Sequence, residues 1–155
     1  IYEPDLLDTA GAVKNASNFF KEKLIMVINC DTFWNSKMRS DLLDLSINFK
    51  MKKHKCLLLL SRISNTYGLI NKSGDFVFRD GHIFRNNIIN EGFFYTGAQI
   101  INTDVFNTFN DKIFSFNKVW DELINKKTIS GVVTESNILH LGSFEGFSYL
   151  EKFST

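Results

Sequence analysis

The 155-residue chain has little of several features that mark particular classes of protein. It contains two cysteines and one proline, and two cysteines are too few for a disulfide-stabilised scaffold. Its 18 Lys and Arg residues balance 17 Asp and Glu residues, so there is no basic excess for nucleic-acid binding. No apolar run is long enough to span a bilayer, and no segment resembles a signal peptide. These absences predict a cytoplasmic protein that binds neither nucleic acid nor membrane.

Apolar and aromatic residues are plentiful. They make up 44% and 14% of the chain, with 16 Phe, which is enough for a core in a domain of this length. There is no linker-like segment and no internal repeat, so we expect one domain over residues 1–155. Cys30 and Cys56 both lie in apolar, strand-like runs, and we expect them to be buried thiols in a reducing compartment.

The most informative segment is the apolar run Leu24–Ile28, which Asn29 and Cys30 separate from the carboxylate of Asp31. A run without alternation predicts a strand buried on both faces, as in parallel sheets. Ligands collect at the carboxyl ends of such strands, so Asp31 is placed to hold a divalent metal against a phosphate. The alternative is that Asp31 only caps the turn after the strand, together with Thr32.

The rest of the chain predicts helices that alternate with strands. Asp8 or Thr9 is expected to cap a helix over about 11–21, and a second helix opens at Ser40 and Asp41. Further strands are predicted over 56–60 and 93–101, and 129–133 and 137–141 are predicted to form a pair of strands. A hairpin is predicted over 76–84, with further helices at Thr103, Asn117 and Ser143. This order indicates an α/β fold with a mixed sheet.

Four separated segments carry motif-like residues. They are LDTAGAVKNA (7–16), VINCD (27–31), SGDF (73–76) with FYTGAQI (94–100), and LHLGSFE (139–145). In order and spacing they resemble the sugar-1-phosphate nucleotidyltransferases. The likeness is greatest to the short bacterial branch that includes N-acetylmuramate 1-phosphate uridylyltransferase and mannose-1-phosphate guanylyltransferase-like proteins.

This resemblance implies both a fold and a reaction. The fold would be a Rossmann-like, GT-A-like three-layer α/β sandwich with a mixed sheet. The reaction would join an NTP to a sugar 1-phosphate, giving an NDP-sugar and pyrophosphate with Mg2+ as cofactor. A sugar-phosphate oxygen would attack the α-phosphorus directly, so catalysis would consist of alignment and charge neutralisation.

The resemblance also implies roles for individual residues. It gives Asp31 the catalytic role of first magnesium ligand, and it aligns His140 with a late metal-binding Asp of the family. It assigns the nucleotide to Thr9, Ala10 and Gly11, and the sugar to Gly74, Thr96 and Gly97.

Each assigned role has a structural alternative. Thr9 and Gly11 could cap and start a helix, and Gly74 and Gly97 could be turn and bulge glycines. His140 could be a packed strand residue, and imidazole suits magnesium poorly.

The chain departs from the family pattern at the triphosphate-binding loop. No G-x-G followed by Arg occurs in it, and no proline follows Pro4. We therefore expect an N-terminally truncated, partial nucleotidyltransferase domain that is inactive alone. The alternative is a non-catalytic remnant or a subunit-like sugar- or nucleotide-binding protein, with a partner chain carrying the missing loop. A glycosyltransferase is less favoured, because Phe33 lies where that class needs a second acid.

Overall fold

The computed structural model describes residues 1–34, 37–51, 54–69, 73–88 and 90–153. Its helices are α1 (Asp8–Ser17), α2 (Met38–Met51), α3 (Phe116–Asn125), α4 (Phe144–Ser148) and α5 (Leu150–Phe153), with 3₁₀ turns over Ile63–Asn65 and Thr103–Thr108. Its strands are β1 (Leu24–Ile28), β2 (Thr32–Trp34), β3 (Cys56–Arg62), β4 (Thr66–Tyr67), β5 (Phe76–Arg79), β6 (His82–Arg85), β7 (Phe93–Asn102), β8 (Ile129–Thr134) and β9 (Ile138–His140).

The strands form one large and one small sheet. The large sheet has the order β6-β5-β7-β3-β8, and β1 also pairs with β7. Among the described strands of the large sheet, β3 and β8 run parallel and the other pairs are antiparallel. The long strand β7 carries β3 along one edge and both β5 and β1 along the other. The small sheet has the order β2-β9-β4.

Helices cover both faces of the large sheet, and alternate residues of β3 pack in two different cores. Leu58 and Leu60 pack in one core with residues of α1 and α3. Leu57 and Leu59 pack in the other with Leu45 of α2. The predicted three-layer α/β sandwich with a mixed sheet is therefore confirmed.

Strand β1 has the predicted bounds but not the predicted environment. It pairs antiparallel with β7, and no other strand of the described residues pairs with its second edge. Leu24, Met26 and Ile28 are 40–44% exposed. The prediction of a strand buried on both faces was therefore wrong. An apolar run shows that a strand could be buried, but not that a second neighbour covers it.

Three other predictions need correction. Helix α1 begins at Asp8 and ends at Ser17, earlier at both ends than predicted. Strands β8 and β9 do not pair with each other, because β8 joins β3 and β9 joins the small sheet. Cys56 is buried, and burial raises the pKa of its thiol far above the usual range, but Cys30 is exposed.

No helix among the described residues is long and apolar enough to cross a membrane.

Candidate functional site

Asp31 lies in the turn that joins β1 to β2, and its backbone is held from two sides. The N–H of Asn29 donates to the carbonyl of Gly97 in β7, at 2.8 Å. The N–H of Leu141 donates to the carbonyl of Asp31, at 2.7 Å. These two bonds fix the turn between the large sheet and the segment that follows β9.

The carboxylate of Asp31 faces His140. Oδ2 of Asp31 lies 3.3 Å from Nε2 of His140, which is brought there because Thr32 and His140 are register partners in β2 and β9. The N–H of Gly142 donates to Nδ1 of His140, at 3.2 Å. Oδ1 of Asp31 is buried and has no hydrogen-bond partner within the described residues. Oδ2 therefore lies close to the imidazole, and Oδ1 has no polar partner among the described residues.

Gly97 forms a bulge in β7 beside this turn. Leu58 pairs with Gln99 and Leu60 with Tyr95, so β7 has three residues where β3 has one. Gly97 has a φ of +87°. A Cβ there would lie 2.8 Å from Oγ1 of Thr32 and 3.0 Å from Cβ of Asn29. Gly97 is therefore a bulge glycine, which was the structural alternative to its assignment to the sugar. The bulge also places Gly97 against the turn that contains Asp31. Its contact with a sugar remains a prediction.

The other two residues assigned to the sugar, Thr96 and Gly74, have structural roles in and beside β7. The hydroxyl of the buried residue Thr96 donates to the carbonyl of Leu59, at 3.1 Å. A Cβ on Gly74 would lie 2.4 Å from the backbone N of Phe93, so this glycine allows the chain to pass close to the start of β7. Both residues shape the region around β7, and their roles in sugar binding remain predictions.

Asp75 is a further acid in this region, and none of the predicted site residues is Asp75. Its Oδ2 accepts the N–H of Tyr95, at 2.9 Å. The residue as a whole is exposed, yet partial burial of the carboxyl raises its pKa above the usual range. The Tyr95 N–H and the charges of Arg85 and His140 oppose that rise. The sequence signal for Asp75 was its position directly after the glycine of the SGDF motif.

The residues assigned to the nucleotide, 9–11, lie at the start of α1. The N–H groups of Ala10 and Gly11 donate to the carbonyl of Phe114, at 3.1 and 3.0 Å. A Cβ on Gly11 would lie 2.3 Å from the carbonyl oxygen of Lys112. These residues therefore join α1 to the segment before α3. The predicted cap at Asp8 or Thr9 was wrong, because the N-cap of α1 is Leu7, which makes no side-chain cap hydrogen bond. No contact recorded for the described residues links them to Asp31.

A cavity of about 330 Å³ lies beside Gly11. Its walls include Tyr2, one acid, Asp5, and two lysines, Lys14 and Lys112. The two lysines exceed the single acid in charge, and this balance is compatible with a ligand that carries phosphate. The cavity therefore keeps the nucleotide assignment open.

The residues present fit a magnesium ion only in part. Within the described residues, no group of three or more His, Cys, Asp or Glu could hold a metal. The free Oδ1 of Asp31 offers one hard oxygen ligand. Mg2+ is commonly held by one or two carboxylates, with waters and substrate phosphates completing its octahedron. Asp31 alone therefore fits a magnesium that arrives with phosphates.

No protein-family model and no curated protein sequence matches this chain. Solved structures do match. HddC from Yersinia pseudotuberculosis is 20% identical with a TM-score of 0.72, covering 99% of this chain and 65% of that one. HddC has also been solved in complex with GMP-PN.

Two further matches are more distant in sequence. UDP-glucose pyrophosphorylase from Acinetobacter baumanii is 12% identical with a TM-score of 0.73, covering 94% of this chain and 55% of that one. The inositol-1-phosphate CTP transferase from T. maritima is 13% identical with a TM-score of 0.70, covering 90% and 58%. The chain thus spans between 55% and 65% of the length of these three structures. What the likeness shows is that this chain has the α/β fold common to them.

Proposed function

We propose that this chain forms part of a sugar-1-phosphate nucleotidyltransferase, which makes an NDP-sugar and pyrophosphate from an NTP and a sugar 1-phosphate. One observation carries the proposal. The turn after β1 presents a buried, unpartnered carboxylate oxygen of Asp31 beside the Gly97 bulge. It does so in a fold shared with a named CTP transferase and a named pyrophosphorylase.

The chemistry asks little of individual side chains. An oxygen of the sugar phosphate attacks the α-phosphorus of the NTP, the bond to the β-phosphate breaks, and pyrophosphate leaves. A bound Mg2+ would neutralise charge on the phosphates, and Oδ1 of Asp31 would hold it. Asp31 therefore orients the phosphates relative to each other. The sugar would lie along Thr96 and Gly97, and the nucleotide near residues 9–11.

The outer edge of β1 favours a complementing segment or chain. Among the described strands only β7 pairs with β1, and Leu24, Met26 and Ile28 are exposed on one of its faces. Unpaired strand edges readily accept an added strand. Because β1 leads into Asp31, a strand added there could bring a G-x-G-T-R triphosphate loop to the site. The chain alone would then bind ligands without turning them over.

The second candidate is a non-catalytic sugar- or nucleotide-binding protein. It is favoured by the phosphate-compatible cavity beside Gly11, which needs no added loop. In either case we place the protein in the cytoplasm, where an exposed free thiol such as Cys30 stays reduced.

The role of Asp31 is tested with Mn2+ as a spectroscopic substitute for Mg2+. Electron paramagnetic resonance counts free Mn2+ in the presence of glucose 1-phosphate and UTP. Asp31→Asn is expected to weaken Mn2+ binding by about tenfold or more, because a neutral amide replaces the charged ligand. The matched control is Asp44→Asn, which removes an exposed acid of α2. This variant should bind Mn2+ like the parent chain. Equal binding by Asp31→Asn and the parent would contradict the proposal.

Activity is tested separately by mixing the chain with Mg2+, each NTP and a panel of sugar 1-phosphates, and measuring pyrophosphate. We expect none from the chain alone. Clear release would refute its predicted inactivity while supporting the proposed reaction. Mn2+ binding without pyrophosphate release is the pattern expected of a chain that needs a complementing loop.

A further inference from the structure

The imidazole of His140 has a polar neighbour at each ring nitrogen, and one of these contacts is a hydrogen bond. Nδ1 accepts the N–H of Gly142, at 3.2 Å, so this nitrogen presents its lone pair. A neutral imidazole has one N–H, which must then be on Nε2. Nε2 is the atom 3.3 Å from Oδ2 of Asp31. The backbone therefore selects the tautomer whose N–H is on the nitrogen nearest to the carboxylate.

The place of the ring is also built into the chain. A Cβ on Gly142 would lie 2.4 Å from Cε1 of His140, so the imidazole occupies space that a side chain there would take. The register of β2 with β9 sets Thr32 opposite His140, directly next to Asp31. A glycine, a backbone N–H and a strand pairing thus converge on one ring orientation.

We propose that His140 is a positioning residue for Asp31 and not a metal ligand. Its Nε2–H lies beside Oδ2 and restricts the orientation of the carboxylate, so that Oδ1 is presented to a bound ion. The two roles exclude each other, because a metal ligand must offer the Nε2 lone pair that this tautomer uses for a proton. Groups that orient a ligand in this way commonly tune metal affinity. The metal itself rests on the proposed function above.

The direct test is the tautomer of His140 in the unaltered chain. Nitrogen-15 NMR of the imidazole, at mildly alkaline pH, is recorded without metal and with excess Mg2+. We expect Nε2–H in both spectra. Nδ1–H without metal, or a change from Nε2–H to Nδ1–H when Mg2+ is added, would overturn the proposal. No variant is needed, so folding failure cannot obscure the result.

Variants give an independent measurement by Mn2+ titration. His140→Gln keeps an N–H donor of similar reach and should bind Mn2+ within about twofold of the parent, whereas His140→Leu should bind about tenfold more weakly. Gly142→Ala keeps the histidine but displaces its ring, so it should resemble His140→Leu. Equal loss in the Gln and Leu variants would contradict positioning.

The two proposals fail in different ways. If Nε2–H is found but neither Mg2+ nor Mn2+ perturbs the chain, the orientation of Asp31 stands and the proposed metal-dependent function fails. If the ion binds and the tautomer changes, the function stands and His140 is a ligand.

Discussion

Strands β1 and β3 are similar as sequences and opposite in environment. LIMVI in β1 and CLLLL at the start of β3 are both unbroken apolar runs. From Cys56 to Ser61, β3 is fully buried, with β7 on one edge, β8 on the other and helices on both faces. Among the described strands β1 has one neighbour, and its residues alternate between half-buried and exposed. The burial of a strand thus depends on the strands beside it and the helices that cover its faces. An apolar run does not encode these neighbours.

The two faces of β1 also differ. Ile25 and Val27 pack against the core that includes α1 and α3. Met26 and Ile28 lie opposite Ile100 and Ala98 of β7, on the face that α2 covers, yet they are 40% and 42% exposed. α2 therefore covers β7 without extending over β1. The result is an apolar stripe beside an open strand edge, which is the surface the proposed complementing segment would cover.

Matched leucine truncations would break this comparison most directly. Leu58→Ala should lower the free energy of unfolding by about 3 kcal/mol, because it leaves a cavity in a fully buried strand. Leu24→Ala should cost about 1 kcal/mol or less, because the side chain is 44% exposed. Urea unfolding followed by circular dichroism measures both. Equal costs would show that β1 is covered in solution.

The two cysteines test the same contrast without changing the packing. Cys56 begins β3 and is buried, which raises the pKa of its thiol, whereas Cys30 follows β1 and is exposed. A disulfide reagent should modify Cys30 at least about a hundredfold faster, since Cys56 must wait for an opening that costs about 2.7 kcal/mol or more.

Labelling kinetics under native conditions should therefore show one fast and one slow thiol. Cys30→Ser should abolish the fast phase and leave the slow one. Two slow thiols in the parent chain would mean that the end of β1 is protected.

Local signals in the sequence predicted much of the fold. The hairpin of β5 and β6 has its turn at Asp80 and Gly81, where φ is +52° and +77°, as an Asp-Gly turn favours. Ser143 caps α4 as predicted, its hydroxyl oxygen accepting the N–H of Gly146. These features depend on a few consecutive residues, so their signals are contained in short windows.

The missed features depend on pairing between distant segments. β2 and β4 have three and two residues, too few for a periodic pattern. The resemblance assigned Asp31 and His140 to one metal site, but the pairing of β2 with β9 that brings them together is not contained in any local window. The predicted residues 9–11 and 31 were found in the expected elements, but the contacts between those elements could not be read from the sequence.

The smallest of the three effects concerns the bulge that receives the end of β1. Gly97→Ala should lower the free energy of unfolding by about 2 kcal/mol, from a positive φ and from crowding against Thr32 and Asn29. Gly81→Ala is the matched control: its φ is also positive, but a Cβ there meets nothing within 4 Å, so about 1 kcal/mol is expected from the backbone alone.

The difference between these two glycine variants isolates the contact between the bulge and the Asp31 turn. Urea unfolding gives that difference. In Gly97→Ala, amide chemical shifts should also change at Asn29, whose N–H donates to the carbonyl of Gly97, and onward to Asp31. Equal losses of unfolding free energy in the two variants, with unchanged amide chemical shifts in Gly97→Ala, would mean that the turn accommodates the added methyl group. The carboxyl end of β1, which leads to Asp31, would then be less constrained than β3. Asp31 would need a bound partner to fix its position.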